Sequence, residues 1–299
     1  MVIFKKMDRQ LNLKDYKELE KLASGGFANV YKVCQKDSKK IFVAKVSIHD
    51  NKKLNEKREI NTFSQFEHPS ILKFIGYSLV DFSNNPRTVI ITEFCPNLSL
   101  EDIIYKKRGD SPLNWNDTKK LINIYGIAAG MSFLHRNEYI HRDLKPANIF
   151  EDEYLFPKIG DFGLSKHIDP TNSSINSLSS YKGTCFYTPP ETWDNQDYYT
   201  KAGDVYAFGI IVYEILTSEF PYKGCSLVTI MRKVASGERP SLLGIPEAYK
   251  DLISSCWSQN EHERPTFDEI VEVLKTKKEF ITDGIDYDEF LEYIDYIDN

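Results

Sequence analysis

The chain has 299 residues, 41% of them hydrophobic and 27% charged, which is enough for a well-buried core and excludes the disordered and fibrous classes. A formal charge of -6 and a pI near 5.6 argue against nucleic acid as the main partner, because phosphate backbones reward clustered Lys and Arg. Five scattered cysteines (Cys34, Cys95, Cys185, Cys225, Cys256), with no C-x-x-C pair, argue against a disulfide framework or a zinc site and for a reducing compartment.

Taken in chain order, the apolar run at Met1 to Phe4 is too short for a signal peptide, and Lys5, Lys6 and Asp8 follow it. A cytoplasmic location is therefore expected, with the nucleus as the alternative. Residues 17–95 read as strand-rich, with β-branched and aromatic runs at 27–33, 41–46 and 88–94. Within this part, residues 51–66 are polar but carry Leu54, Ile60, Phe63 and Phe66, which predicts one amphipathic helix ending before His68-Pro69. After Pro96 the pattern becomes helical, at 115–136, 204–218, 227–236, 248–258 and 267–277. Residues 171–180, rich in Ser, Asn and Thr, read as a flexible loop. The longest apolar stretch, 205–216, is interrupted by Glu214 and falls short of the roughly 20 residues that span a bilayer. The expected class is α+β: a small β-rich part with one main helix, then a larger mainly helical part.

Four features carry chemistry. Gly25 and Gly26, flanked by Ala23, Ser24, Phe27 and Ala28, sit between two strand-like runs, where a turn can bring backbone amides against phosphates; a plain hairpin turn is the alternative. Lys45 interrupts an otherwise buried strand pattern and demands a counter-charge, for which Glu59 is the best candidate and Glu56 the competitor. In the run His141 to Asn148, Asp143, Lys145 and Asn148 place a carboxylate, an ammonium and an amide on one loop. Phosphoryl transfer needs such a set: an acceptor for the nucleophile's proton, positive charge on the phosphoryl group, and oxygen ligands for Mg²⁺. Thirteen residues beyond Asn148, Asp161-Phe162-Gly163 offers a hard carboxylate suited to the same ion.

With these motifs in this order, residues 17 to 275 resemble the protein-kinase family, and the mechanism is taken over with the resemblance. It implies a bilobal kinase fold with a small lobe at 17–95 and a large one at 96–275, preceded by an extension (1–16) and followed by an acidic tail (276–299). It also implies ATP and Mg²⁺ as cofactors and proteins as substrates. Position by position, Lys45 would pair with Glu59 and the α/β-phosphates, beneath the turn formed by Ala23, Ser24, Gly25, Gly26, Phe27 and Ala28. Asp143 would be the catalytic base, Lys145 would contact the γ-phosphate, and Asn148 and Asp161 would bind Mg²⁺. Val30, Val43 and Phe150 would sandwich the adenine. Thr92, Glu93 and Cys95 would belong to the hinge between the lobes, with Thr92 as gatekeeper.

The resemblance also implies a Glu191–Arg264 pair after the activation loop and an Asp204 that holds the catalytic-loop backbone. His141, Phe162, Phe63 and Phe74 would form a packed column linking the lobes. Lys145-Pro146 and Gly183-Thr184 resemble the serine/threonine pattern, with Thr184 beside the catalytic aspartate. Residues 204–209, Cys256-Trp257 and 264–267 look like the tyrosine-kinase end. The combination resembles the tyrosine-kinase-like group, whose members mostly phosphorylate serine and threonine in intracellular signalling. Ala23 and Ala28 stand where two of three glycines are usual, so a catalytically silent pseudokinase scaffold is the alternative, as is a dual-specificity or tyrosine kinase. Arg142, with Lys166 joining it, would receive a phosphate on the activation loop, at Ser180 first, with Ser177, Ser179 and Tyr181 behind it, from an upstream kinase or by self-phosphorylation.

The segment 283–290 imitates the end of a calcium-binding loop, but its register fails. An amphipathic helix is expected instead, with Tyr287, Phe290, Leu291, Ile294 and Ile297 on one face and Asp288, Glu289, Glu292 and Asp295 on the other. Packing on the large lobe is expected, and docking elsewhere is the alternative.

Overall fold

In the computed structural model, which describes residues 9–26, 28–48, 60, 63–107, 109, 112, 114–167, 185–193 and 198–299, the β-branched runs pair as strands. β1 (Tyr16–Ser24), β2 (Ala28–Gln35), β3 (Ile41–Ser47), β4 (Phe74–Ser78) and β5 (Val89–Glu93) form one antiparallel sheet in the order β1-β2-β3-β5-β4. Cross-strand partners share a face, so the register sorts the side chains. Val33, Ala44, Val46, Val89 and Ile91 line one face and bury themselves with Leu13 and Tyr16. Val30, Lys45 and Ile90 face the other way, as do Lys32, Val43 and Thr92.

The edge of β4 is covered by residues that precede the sheet. Gln10 bridges Tyr77 in parallel, and Leu11 N donates to Tyr77 O at 2.7 Å, which occupies backbone groups that would otherwise invite another chain. Of the helix expected over 51–66, Ile60 and Phe63 are helical; residues 51–59, 61 and 62, Glu56 and Glu59 among them, lie outside the described residues. This unit spans Met1–Pro96.

The second compact unit, Asn97–Asn299, contains α1 (Leu100–Ile104), α2 (Asp117–Arg136), α3 (Lys201–Thr217), α4 (Leu227–Ala235), α5 (Glu247–Cys256), α6 (Phe267–Thr276) and α7 (Tyr287–Asp298). Two short strand pairs join them: β6 (Tyr139–Ile140) with β9 (Lys166–His167), and β7 (Ile149–Glu151) with β8 (Pro157–Ile159). Side-chain oxygens start several helices: Asn116 accepts from Lys119 N, and Ser99 and Thr266 each complete a capping box. Residues 203–215 of α3 are all buried, as befits a helix apolar on every side at the centre of its unit. No helix among the described residues is long and apolar enough to cross a membrane. With its β-rich sheet unit and mainly helical second unit, the architecture is the α+β, bilobal one expected.

The tail helix α7 packs on α2, as expected, but its apolar face is turned from the expected one. Phe290, Tyr293 and Ile294 are buried, whereas Tyr287 and Leu291 are exposed. Tyr293, which the expected apolar face does not include, is buried. Its ring lies against Phe156 at 4.5 Å, and both Phe290 and Tyr293 meet Tyr125 edge-on. An aromatic socket therefore sets the rotation of the helix. Gly126 on α2 makes room for it, since a Cβ there would lie 2.2 Å from the Tyr293 hydroxyl. Lys119 Nζ pairs with Glu289 at 2.6 Å, and Asp286 N donates to Thr118 Oγ1 at 2.8 Å.

Candidate active site

The loop between β6 and β7 is held from beneath by one carboxylate. Asp204, fully buried on α3, accepts from His141 N (2.8 Å) and Arg142 N (2.9 Å), from His135 Nε2 (2.9 Å) and from the Tyr199 hydroxyl (3.1 Å). Burial alone would raise its pKa; the His135 bond and charge, followed by those at His141, prevail and hold the carboxyl below the ordinary range. Arg142 takes a left-handed backbone (φ 70°) at this point, and the two amides bound to Asp204 lie just before that bend. His141 is itself an internal clamp. Its Nδ1 accepts from Asp143 N at 3.3 Å, which assigns the ring proton to Nε2, within 3.0 Å of Gly160 O.

Above this frame the candidate residues converge on Asp143. Lys145 Nζ lies 2.9 and 2.8 Å from its two carboxylate oxygens. The Asn148 amide nitrogen donates to Asp143 O at 2.8 Å and to Oδ2 at 2.9 Å. Asp143 and Lys145 remain half-buried, open enough for a substrate, while Asn148 is buried. Gly160 N donates to Asn148 O at 2.8 Å, and Ile149 pairs with Ile159, so Asp161 emerges beside Asn148. Asp161 sits in the left-handed region (φ 58°, ψ 68°), which aspartate enters more readily than most residues. Phe162 is buried with its ring 5.3 Å from that of His141.

With both hydrogens of the Asn148 amide directed at Asp143, its oxygen is the end left for a cation, and Asp161, one residue beyond the Gly160 amide that bonds Asn148 O, brings a carboxylate to the same stretch of chain. Among the described residues no cluster of three or more His, Cys, Asp or Glu forms a metal cage. Two hard oxygen donors fit an ion such as Mg²⁺, which keeps several waters and takes phosphate oxygens as ligands.

Further along, Glu191 and Arg264 form a two-pronged pair at 2.7 and 2.8 Å, with the Arg264 side chain 0% exposed. Glu214 of α3 accepts from the Tyr187 hydroxyl at 2.8 Å and from that of Tyr105. Burial pushes its carboxyl up to about 8, although both tyrosines oppose the shift.

In the first unit, the candidate residues Val30, Val43, Lys45 and Thr92 share the sheet face opposite the core, and Ala23 pairs with Val30. Thr92 and Cys95 are buried; Glu93 accepts from Lys73 N at 2.7 Å. The turn after β1 is closed by Gly25 N donating to Ala28 O at 2.9 Å and by Ser24 donating to Asn29 Oδ1 at 2.6 Å. Neither glycine adopts a left-handed backbone, and a Cβ on Gly26 would meet nothing within 4 Å. The fold therefore makes no demand for glycine at Gly26, and the bare turn leaves space on its outer side. Ala23 and Ala28 lie within β1 and β2, where extended backbone suits alanine without strain.

Phe150 lies half-buried in β7. Lys166 lies opposite Ile140 in β9. Phe27, Glu59, Ser177, Ser179, Ser180, Tyr181 and Thr184 lie outside the described residues. The Phe63 and Phe74 rings are 5.6 Å apart within the first unit, and the His141–Phe162 pair lies within the second. Sequence reasoning passed over His135 and Tyr199, the two side-chain donors to Asp204, because no local pattern links residues 69 and 5 positions away from it.

The protein kinase domain family model matches residues 16–274. A probable serine/threonine-protein kinase of Dictyostelium discoideum is 33% identical over 89% of this chain and 28% of its own length. A putative serine/threonine-protein kinase/receptor of Acanthamoeba polyphaga mimivirus is 32% identical over 88% of this chain and 15% of its own length. Serine/threonine-protein kinase STY46 of Arabidopsis thaliana is 29% identical over 89% of this chain and 45% of its own length. The chain thus spans 15% to 45% of the length of these relatives. With the family model matching most of the chain, and with the sheet, the helical unit and the loop geometry described above, the chain belongs to the protein kinase domain family.

Proposed function

We propose that the chain is an active serine/threonine kinase that transfers the γ-phosphoryl group of ATP to hydroxyls of protein substrates. The observation that carries this reading is the cluster of Lys145 and Asn148 on Asp143, suspended from Asp204. Asp143 orients the incoming hydroxyl and takes its proton. Lys145 Nζ, 2.8 Å from Oδ2, balances charge on the phosphoryl group as it moves. Asn148 and Asp161 would hold Mg²⁺, which when bound neutralises phosphate charge and orients the transferred group. Lys45, with Glu59 as counter-charge, and the Ser24-Gly25-Gly26 turn hold the remaining phosphates; Val30, Val43 and Phe150 hold the adenine and Thr92 to Cys95 its edge.

Serine and threonine as acceptors are supported by Lys145-Pro146 and by relatives named as serine/threonine-protein kinases. Kinase-domain limits of 17–275, a cytoplasmic site of action, and control by phosphate on Ser180 or Ser177 near Arg142 and Lys166 belong to the same reading. Unstrained alanines at 23 and 28 weigh against the alternative of a catalytically silent scaffold.

The test is transfer of radiolabelled phosphate from ATP to a panel of serine, threonine and tyrosine peptides by the wild type and by Asp143→Asn. The expected loss in the variant is about 10²- to 10⁴-fold, the usual worth of a general base, with nucleotide binding retained. Equal incorporation by the two proteins would sink the catalytic reading, and label on tyrosine alone would overturn the acceptor class.

A further inference from the structure

The segment just before α3 is fastened on both sides. Tyr198 and Thr200 both donate to Glu261, Thr200 at 2.9 Å to Oε2, while Tyr199 between them points the opposite way, to Asp204. Extended backbone produces that alternation: the cap residue Thr200 has φ -111° and ψ 176°, and successive side chains leave on opposite sides. Two residues held by one carboxylate therefore leave the third little freedom to turn.

Gly203 completes the arrangement. A Cβ there would lie 2.7 Å from the Tyr199 ring, so the ring can lie against the first turn of α3 only because this position carries no side chain. The hydroxyl then reaches Asp204 Oδ1, the same oxygen that accepts Arg142 N. The buried phenol beside a carboxylate has its pKa pushed well up, first by burial and then by the Asp204 charge, so it stays a proton donor.

We infer that Tyr199 is a positioning residue for phosphoryl transfer: its hydroxyl, passed over Gly203 to Asp204, fixes the carboxylate that carries the His141 and Arg142 amides and so sets the aim of Asp143. The inference rests on the kinase reading above. The Tyr199 hydroxyl bonds Asp204, and Arg142 and Asp143 lie near enough for their charges to act on it. It acts through Asp204: without the phenol, Oδ1 would keep only the Arg142 amide while Oδ2 kept both His141 N and His135, so the oxygen that carries Arg142 N would be the less firmly held.

The experiment compares the full chain with Tyr199→Phe, Gly203→Ala and the double variant. It measures kcat and KM for ATP, thermal melting, and deuterium exchange of the amides at residues 141 and 142. Tyr199→Phe keeps the ring and removes the donor. Its kcat should fall about tenfold, what one hydrogen bond to a charged acceptor is worth, with KM for ATP nearly unchanged, melting lowered by no more than a few degrees and faster exchange at both amides. Gly203→Ala displaces the ring and should act in the same direction. The double variant should be no worse than the poorer single one, because both remove the same contact.

Wild-type kcat and exchange in Tyr199→Phe would overturn the inference. So would a parallel fall in melting, kcat and ATP affinity, which is the mark of a merely structural residue. A wild-type chain that transfers no phosphate would overturn the kinase reading instead, and exchange at 141 and 142 would still report whether the hydroxyl holds the loop.

Discussion

Asp204 and Glu214 sit ten positions apart on the same buried helix, yet their surroundings push the two carboxyls in opposite directions. Asp204 meets two amides, a histidine and a phenol, all donors, and is held low. Glu214 meets two tyrosine hydroxyls and little else, so burial dominates and its carboxyl rises from 4.5 to about 8. The sign of the pH effect follows. Between those values the folded chain keeps a proton that the unfolded chain has released, so stability falls as pH rises through this window and levels off above it. Glu214→Gln, which mimics the neutral acid, should abolish that part of the slope. In urea unfolding the wild type should lose on the order of 3 kcal/mol more than the variant between pH 5 and 8.5; parallel pH dependence in the two proteins would refute the neutral carboxyl. Residues such as Asp143, Lys145 and Asn148 were legible in the sequence because they lie within six positions of one another on one loop. Glu214 registered only as a charge interrupting an apolar run, because its partner Tyr187 is 27 positions away.

Among the elements, α7 shows most clearly how packing corrects a periodicity. The tail's alternation of acidic and apolar residues predicts a helix, and a helix forms, but its orientation is set by Tyr125, Phe156 and the gap at Gly126. A chain ending at Gly284 loses the burial of Phe290, Tyr293 and Ile294. Its unfolding free energy should drop on the order of 5 kcal/mol, from roughly 2 kcal/mol per large buried side chain. Unchanged melting of the truncated chain would mean that α7 does not brace α2 in solution. The strands were readable for a different reason. A β-branched run with period-two burial has only two faces, and once β2, β3 and β5 are in register the choice of core face at one position determines the rest.

For the molecule as a whole, stability should be unevenly distributed. α2 and α3 are buried over most of their length, whereas β1 is an edge strand whose residues are mainly exposed. Native-state hydrogen exchange should therefore be slowest in α2 and α3 and fast in β1; the reverse order would contradict this account of the core. The sequence by itself determined the two-part α+β organisation, the element types and the order of the phosphoryl-transfer motifs. Those properties depend on local periodicity and on residues close together along the chain. Only the tertiary structure decided which side chains join the His141 and Arg142 amides on Asp204, why Gly126 and Gly203 carry no side chain, and which way α7 faces. Each of these depends on atoms brought together by packing from distant parts of the chain, and no one-dimensional pattern records that proximity.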